Sequence, residues 1–141
     1  MNATVLAESC YENMFCGCIN IVNTPILSAT TLAKNCYYYM FYRCRTLTTA
    51  PELPITELYD NCYYGMFYGC TNLTTAPELP ATIMKPGCYR SMFTECTSLS
   101  TFPTLYGTEL AESCYGYMFS GCVNLTSALD LPVTTLAKSC Y

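Results

Sequence analysis

The chain has 141 residues, of which 52% are hydrophobic, and its formal net charge is −4, with neither His nor Trp. Its few Lys and Arg are scattered, so the electrostatic footprint of a nucleic-acid-binding protein is missing. Without His, neither a Ser-His-Asp triad nor a Cys-His pair can form, and no apolar run approaches the ~20 residues that a membrane-spanning helix needs.

A fixed period of 26 residues runs along the whole chain without insertion or deletion. Leading cysteines stand at Cys10, Cys36, Cys62, Cys88, Cys114 and Cys140. Trailing cysteines keep the same step at Cys18, Cys44, Cys70, Cys96 and Cys122, and a Met-Phe pair precedes each of them. A fixed period predicts a repeated structural unit.

The first predicted element of the unit is a short amphipathic helix, which in the second repeat covers residues 31–42. Its apolar positions are Leu32, Ala33, Cys36, Tyr37, Met40 and Phe41. At ~100° per residue these positions fall on one face of a helix. The residue before the trailing cysteine is the predicted helix stop, and it is Gly17, Gly69 and Gly121 in three repeats but Arg43 and Glu95 in the other two.

An extended segment is predicted next, in "LTTAPELP", where Thr favours a strand and Pro ends it. A single strand-turn-helix unit can bury its apolar stripe only by stacking on its neighbours. Apolar residues recur at the same position of successive repeats, as this stacking requires. One such column contains Leu47, Leu73, Leu99 and Leu125. The predicted fold is therefore an α/β solenoid, leucine-rich-repeat-like, with five 26-residue strand-turn-helix repeats and a terminal half-repeat. Residues 1–141 then form a single domain, either complete or a segment of a longer array.

The stretch "MFYGCTNLTTAPELPATIM" and its four counterparts resemble the BspA-like leucine-rich repeats of bacterial surface proteins. Units of that family run Met-Phe-x-x-Cys-x-x-Leu-Thr into the next helix. The resemblance covers nearly all of the chain and implies an extracellular or surface-displayed solenoid used for adhesion to host or neighbouring cells. The Pro-Glu-Leu-Pro segment and the additional leading cysteine depart from the family pattern.

The twelve cysteines leave three interpretations, namely disulfides, a metal site or buried thiols. Zinc is disfavoured because only Cys16 and Cys18 approach the paired spacing of zinc ligands. Regular disulfides, such as Cys36 with Cys44 or Cys44 with Cys62, stay open, although helical geometry disfavours both. Buried free thiols are favoured because both cysteine columns lie on the inward stripe.

No catalytic, cofactor-binding or metal-binding residue is predicted, and the chain is expected not to be an enzyme. Carboxylates at Glu52, Glu78 and Asp130 share one repeat position. Paired carboxylates catalyse glycoside hydrolysis. These acids, however, recur only because the whole repeat recurs, so we expect them to lie at a solvent-exposed edge of the predicted strands.

Two surfaces are candidates for interaction. Tyrosines that project away from the core stripe by helical angle are Tyr38, Tyr39, Tyr42, Tyr64, Tyr68 and Tyr117. Threonines that would line the strand surface are Thr49, Thr75 and Thr101. Exposed tyrosines suit a protein interface, and a row of hydroxyls suits polar or glycan contacts. The alternatives are tyrosines that fill grooves between helices and threonines present for strand propensity.

The two ends of the chain carry copies of one half-repeat, "ATVLAESCY" and "VTTLAKSCY". Side chains predicted to be exposed there are Leu6, Cys10, Tyr11, Leu136, Cys140 and Tyr141. Because capping repeats ordinarily cover such ends, either neighbouring repeats of a longer protein or other copies of the chain are expected to cover them. Cys16, on the outward face, is a candidate intermolecular thiol or a neutral substitution.

These patterns predict a non-enzymatic, surface-displayed module that mediates adhesion or binds a protein or glycan. The alternative is a self-assembling structural element that forms end-to-end oligomers or filaments. The expected location is extracellular or at the cell surface, with no leader in this chain, and no nucleic-acid partner or membrane span is expected.

Overall fold

The computed structural model describes residues 1–127, 129, 131 and 133–141, and within these ranges the chain contains no helix and no continuous strand. Extended pairing there is limited to four isolated parallel bridges, Val5 with Thr31, Thr49 with Thr75, Leu79 with Leu105, and Ile83 with Glu109. The prediction of an α/β solenoid of strand-turn-helix repeats, leucine-rich-repeat-like, is therefore wrong.

The 26-residue period appears instead as coils that pair with one another in parallel. We number coils 1 to 5 over residues 5–30, 31–56, 57–82, 83–108 and 109–134, with a half-coil over residues 135–141. Three residues after its start, each coil enters a run of consecutive turns, the turn ribbon, at residues 8–17, 34–43, 60–69, 86–95 and 112–121. A connecting segment rich in Thr and Pro completes the coil and leads to the next one.

Backbone N–H groups of the turn ribbon alternate between two kinds of acceptor. One residue closes a local turn, as Met14 N–H does by donating to the Tyr11 carbonyl at 3.3 Å. The next residue points to the following coil, as Phe15 N–H does by donating to the Met40 carbonyl at 2.9 Å. Because the same pattern recurs at each junction from coil 1 to coil 5, the backbone N–H groups of residues 9–17, 35–43, 61–69 and 87–95 are satisfied without a helix or a sheet.

Left-handed residues recur every fourth position of the turn ribbon and explain why no helix forms. In coil 3 they are Asn61, Gly65 and Gly69, with φ of 51°, 56° and 71°. A helix requires φ near −63° at each residue, so each left-handed residue interrupts it. Its own N–H group donates to the neighbouring coil, as Gly65 N–H does to the Arg90 carbonyl at 2.8 Å. Gly69, predicted as a helix stop, is thus the last of three such residues.

Aromatic side chains stack from coil to coil through the interior. One ladder contains Tyr11, Tyr37, Tyr63, Tyr89, Tyr115 and Tyr141, with neighbouring ring centroids 5.7–5.9 Å apart. The other contains Phe15, Phe41, Phe67, Phe93 and Phe119, with spacings of 5.3–5.8 Å. Tyr63 and Phe67, in the middle coil, are at most 1% exposed, so the core is a stack of identical layers.

The cysteines are free thiols, and nine of the twelve are buried, which confirms the predicted inward position of both columns. The trailing thiols reach back to the preceding coil, where Cys44 Sγ donates to the Phe15 carbonyl at 3.0 Å and Cys70 Sγ to the Phe41 carbonyl at 3.1 Å. Cys96 and Cys122 make the same contact with the Phe67 and Phe93 carbonyls, so four of the five trailing cysteines join two coils as free thiols.

Candidate functional site

Five of the six predicted surface tyrosines form one cluster on the turn ribbons of coils 2 and 3. We call Tyr38, Tyr39, Tyr42, Tyr64 and Tyr68 the tyrosine cluster. Tyr39 is its centre, with ring centroids 4.7 Å from Tyr38, 5.0 Å from Tyr42 and 5.4 Å from Tyr64. All five are half-buried, so the rings pack on one another and still present one edge to solvent. Burial, with a smaller contribution from the neighbouring Tyr64, raises the pKa of Tyr39.

Two arginines extend this cluster. The Arg43 guanidinium carbon lies 5.1 Å from the Tyr42 ring centroid, and that of Arg90 lies 5.8 Å from Tyr64 and 5.6 Å from Tyr117. Arg90 thereby links Tyr117, which is 66% exposed, to the cluster. Neither arginine forms a salt bridge with any residue that the structure describes, so both retain their charge for an external group.

Glycine makes room for the central ring. A Cβ at Gly65 would lie 2.1 Å from Cε1 of Tyr39, and one at Gly69 would lie 2.9 Å from Cγ of Arg43. Both glycines also hold positive φ. The tyrosine cluster therefore depends on two positions without a side chain in coil 3.

We expect Gly65→Ala to lower the free energy of unfolding more than Gly17→Ala. Both substitutions place Ala at positive φ, which costs about 1 kcal/mol. Only Gly65→Ala also forces the Tyr39 ring to move, which adds about 1–3 kcal/mol, whereas a Cβ at Gly17 meets nothing within 4 Å. Urea denaturation of the two variants measures the difference. Equal losses would show that Tyr39 does not pack on Gly65.

The predicted threonine row lies on the connecting segments. Thr49, Thr75 and Thr101 are all exposed, and Thr49 pairs with Thr75 in a parallel bridge. No hydrogen bond joins them to the tyrosines in the part of the chain that the structure describes. The two predicted surfaces are therefore separate features, and only the tyrosines form a compact group.

The prediction that both ends of the chain expose their apolar side chains is partly wrong. Leu6 is only 6% exposed and Cys140 only 4%, because coil 2 covers Leu6 and coil 5 covers Cys140. Leu136 is 67% exposed and Tyr141 40% exposed, as predicted. Cys10 is exposed and Tyr11 is half-buried. Cys16 is exposed, as predicted for a thiol on the outward face.

A groove that the sequence did not reveal crosses the connecting segments of coils 2 and 3. It has a volume of about 440 Å³ and is lined by Pro51, Glu52, Pro54, Pro77, Glu78 and Pro80, among others. Both carboxylate-bearing residues are exposed, in agreement with the predicted solvated edge. The third acid of that position, Asp130, lies outside the described residues. The sequence shows that "PELP" recurs in successive repeats. The depth of the groove between two such segments depends on how the coils pack, which the sequence does not show.

Within the described ranges, no group of three or more His, Cys, Asp or Glu side chains is arranged to hold a metal ion. The same residues include no helix that is long and apolar enough to cross a membrane. Comparison with protein-family models, curated proteins and solved structures finds no match to this chain. The resemblance to BspA-like repeats therefore stays a prediction.

Proposed function

We propose that the chain is a non-enzymatic binding module, displayed outside the cell or on its surface, whose tyrosine cluster and flanking arginines contact a protein or glycan partner. The observation that carries this proposal is the packing of five half-exposed tyrosines beside Arg43 and Arg90. Tyr and Arg are, with Trp, the residue types enriched at binding hot spots.

The cluster is suited to binding because it is already ordered. Its rings contact one another across two coils, so little side-chain freedom remains to be lost when a partner arrives. The Tyr68 hydroxyl already donates to the Glu95 carboxylate at 3.3 Å. The other phenol hydroxyls supply neutral donors, and the two guanidinium groups supply positive charge in a chain whose net charge is −4. A partner with acidic groups beside flat apolar surface, such as a sulfated or sialylated glycan or an acidic protein segment, complements this arrangement.

We expect Arg90→Gln to weaken partner binding by about tenfold or more, because it removes the charge that spans Tyr64 and Tyr117. Binding would be measured on immobilised neutral, sulfated and sialylated oligosaccharides and on extracellular-matrix proteins. Arg45→Gln is the matched control, since Arg45 is exposed and makes no cation–π contact in the described structure. The proposal fails if no surface retains the protein, or if both variants weaken binding equally.

A further inference from the structure

The groove on the connecting segments of coils 2 and 3 is apolar inside and acidic at its edge. Its lining combines prolines of both coils with Ala50, Leu53 and the two glutamates Glu52 and Glu78, and it contains no Lys or Arg. Pro51 and Leu53 are buried, whereas both glutamates are exposed. Its volume of about 440 Å³ lies within the range of ligand-binding clefts.

Proline keeps this groove open. Two prolines flank the Glu-Leu pair of each segment, and they are Pro51, Pro54, Pro77 and Pro80. Because proline has no N–H group, the two segments cannot pair along their whole length as strands do. Within the described residues, no backbone hydrogen bond uses the N–H group of Glu52 or that of Glu78. Both donors therefore remain available to the backbone of a partner.

A second groove of about 370 Å³ lies beside the first, between coils 1 and 2. It shares Pro51, Glu52 and Pro54 with the first groove and adds Ile26, and its lining also contains no Lys or Arg. Ile26 is 81% exposed and holds the repeat position of Glu52 and Glu78. Exposure is a property of this position, since both glutamates are exposed with a coil on either side. We call Ile26, Glu52 and Glu78 the groove column.

The two carboxylates of the groove column have no cation of their own. Within the described part of the chain, the one salt bridge joins Lys138 to Glu112. Glu52 and Glu78 stand one coil apart, a step of ~4.8 Å for parallel backbone pairing, so their like charges repel each other. A bound cation would relieve this repulsion, and the apolar lining would bury the side chains on either side of it.

We propose that the groove column is a docking site for an extended, basic segment of a partner protein. Apolar side chains of that segment pack on the prolines and on Ile26, and a Lys or Arg lies beside each carboxylate. The column crosses two coil steps, about 10 Å, which an extended chain of about four residues covers. This partner is opposite in charge to the one proposed for the tyrosine cluster, and the two sites share no residue, so the inference is independent of that function.

Selection of random peptides displayed on phage, with the full chain immobilised, identifies the segment that the site prefers. We expect the enriched peptides to combine Lys or Arg with apolar residues. Their affinity, measured by fluorescence anisotropy on synthetic copies, should fall as the salt concentration rises, because the ion pairs are at the surface. If no peptide is enriched, or if the enriched peptides lack Lys and Arg, the proposal is overturned.

Glu52→Gln should weaken the binding of these peptides about two- to fivefold, the usual effect of losing one exposed ion pair. Glu109→Gln is the matched control, because it removes the same charge from an exposed residue that lines neither groove. It should leave the affinity unchanged. Equal losses in the two variants would show that the peptides respond only to the net charge of the chain, and the proposal would then fail.

Ile26→Ser tests the apolar contact and should weaken peptide binding about three- to tenfold. Val123→Ser is its control, because Val123 is 74% exposed and lies outside both grooves. Arg90→Gln, at the tyrosine cluster, should leave peptide binding unchanged. Equal losses from Ile26→Ser and Val123→Ser would refute docking in the grooves. A loss from Arg90→Gln would place the peptides on the tyrosine cluster and overturn the proposal.

Discussion

Raising the pH above about 9 is expected to unfold the chain within roughly one to two pH units. Burial raises the pKa of Cys36 to about 11 and that of Cys88 to about 12, and it raises the pKa of Cys62, Cys70 and Cys96 as well. An unfolded thiol ionises near pH 8.5. Between these values the unfolded chain loses protons that the folded chain retains, so stability is intact below about pH 8.5 and falls as the pH rises.

The loss of stability at high pH is large because several buried thiols titrate over the same pH range. Each buried thiol contributes about 1.4 kcal/mol of lost stability per pH unit in that window, and several thiols act together against a total stability of about 5–15 kcal/mol. Urea denaturation at a series of pH values, under reducing conditions, measures the slope, and tyrosine near-ultraviolet circular dichroism reports the stacked rings. A free energy of unfolding that stays constant up to about pH 11 would show that the thiols are not buried as free groups.

Phe67→Ala is expected to destabilise the chain by about 3–5 kcal/mol, the usual cost of removing a buried phenyl ring. Phe67 is 0% exposed and stacks between Phe41 and Phe93, at 5.7 Å from each ring centroid. Its loss leaves a gap in the middle of the ladder that the hydrogen-bonded coils cannot close by moving together. Urea denaturation gives the value.

Phe15→Ala is the matched control for this change. Phe15 belongs to the same ladder but is half-buried and stacks on Phe41 alone. Its substitution should cost clearly less than that of Phe67. Equal costs would indicate that stability resides in the individual coils and not in their stacking.

Inward-facing residues could be predicted from the sequence even though the element that carries them could not. The set assigned to the inner face of a helix in the second repeat is Leu32, Ala33, Cys36, Tyr37, Met40 and Phe41. Ala33 is half-buried and the other five are buried. A spacing of four residues is close to the 3.6 residues of a helical turn, so the pattern fits a helix and a ribbon of four-residue turns almost equally. Apolar spacing alone therefore predicts burial and not backbone conformation.

A signal against the helix was present in the polar positions. The column that contains Asn35, Asn61 and Gly87 holds left-handed residues in the structure, and Asn and Gly are the residues that adopt this conformation most readily. The other two left-handed positions of the second repeat, Tyr39 and Arg43, carry no such signal, because their residue types do not favour positive φ. Residue types alone therefore predict only some of the left-handed positions of the turn ribbon.

The tyrosine cluster was predicted as a set of residues but not as an arrangement. Helical angle placed Tyr38 and Tyr42 away from the core, and both are half-buried with one edge free. The roles of Arg90 and Gly65 depend on contacts between different coils, at 5.8 Å from the Tyr64 centroid for Arg90. Such contacts follow from the lateral spacing of the coils, which no single repeat encodes.

The one-way direction of the hydrogen bonds between turn ribbons makes the stack an electric dipole. Every N–H group of this kind points from one coil toward the next, from Phe15 to Met40 at one end and from Phe93 to Met118 at the other. As in the aligned peptides of a helix, partial positive charge accumulates at the last coil and partial negative charge at the first. Molecules in line reinforce one another's dipoles, whereas neighbours side by side are favoured only when they run in opposite directions. Salt screens both electrostatic preferences. Neighbouring molecules at high protein concentration should therefore orient one another less strongly as the ionic strength rises.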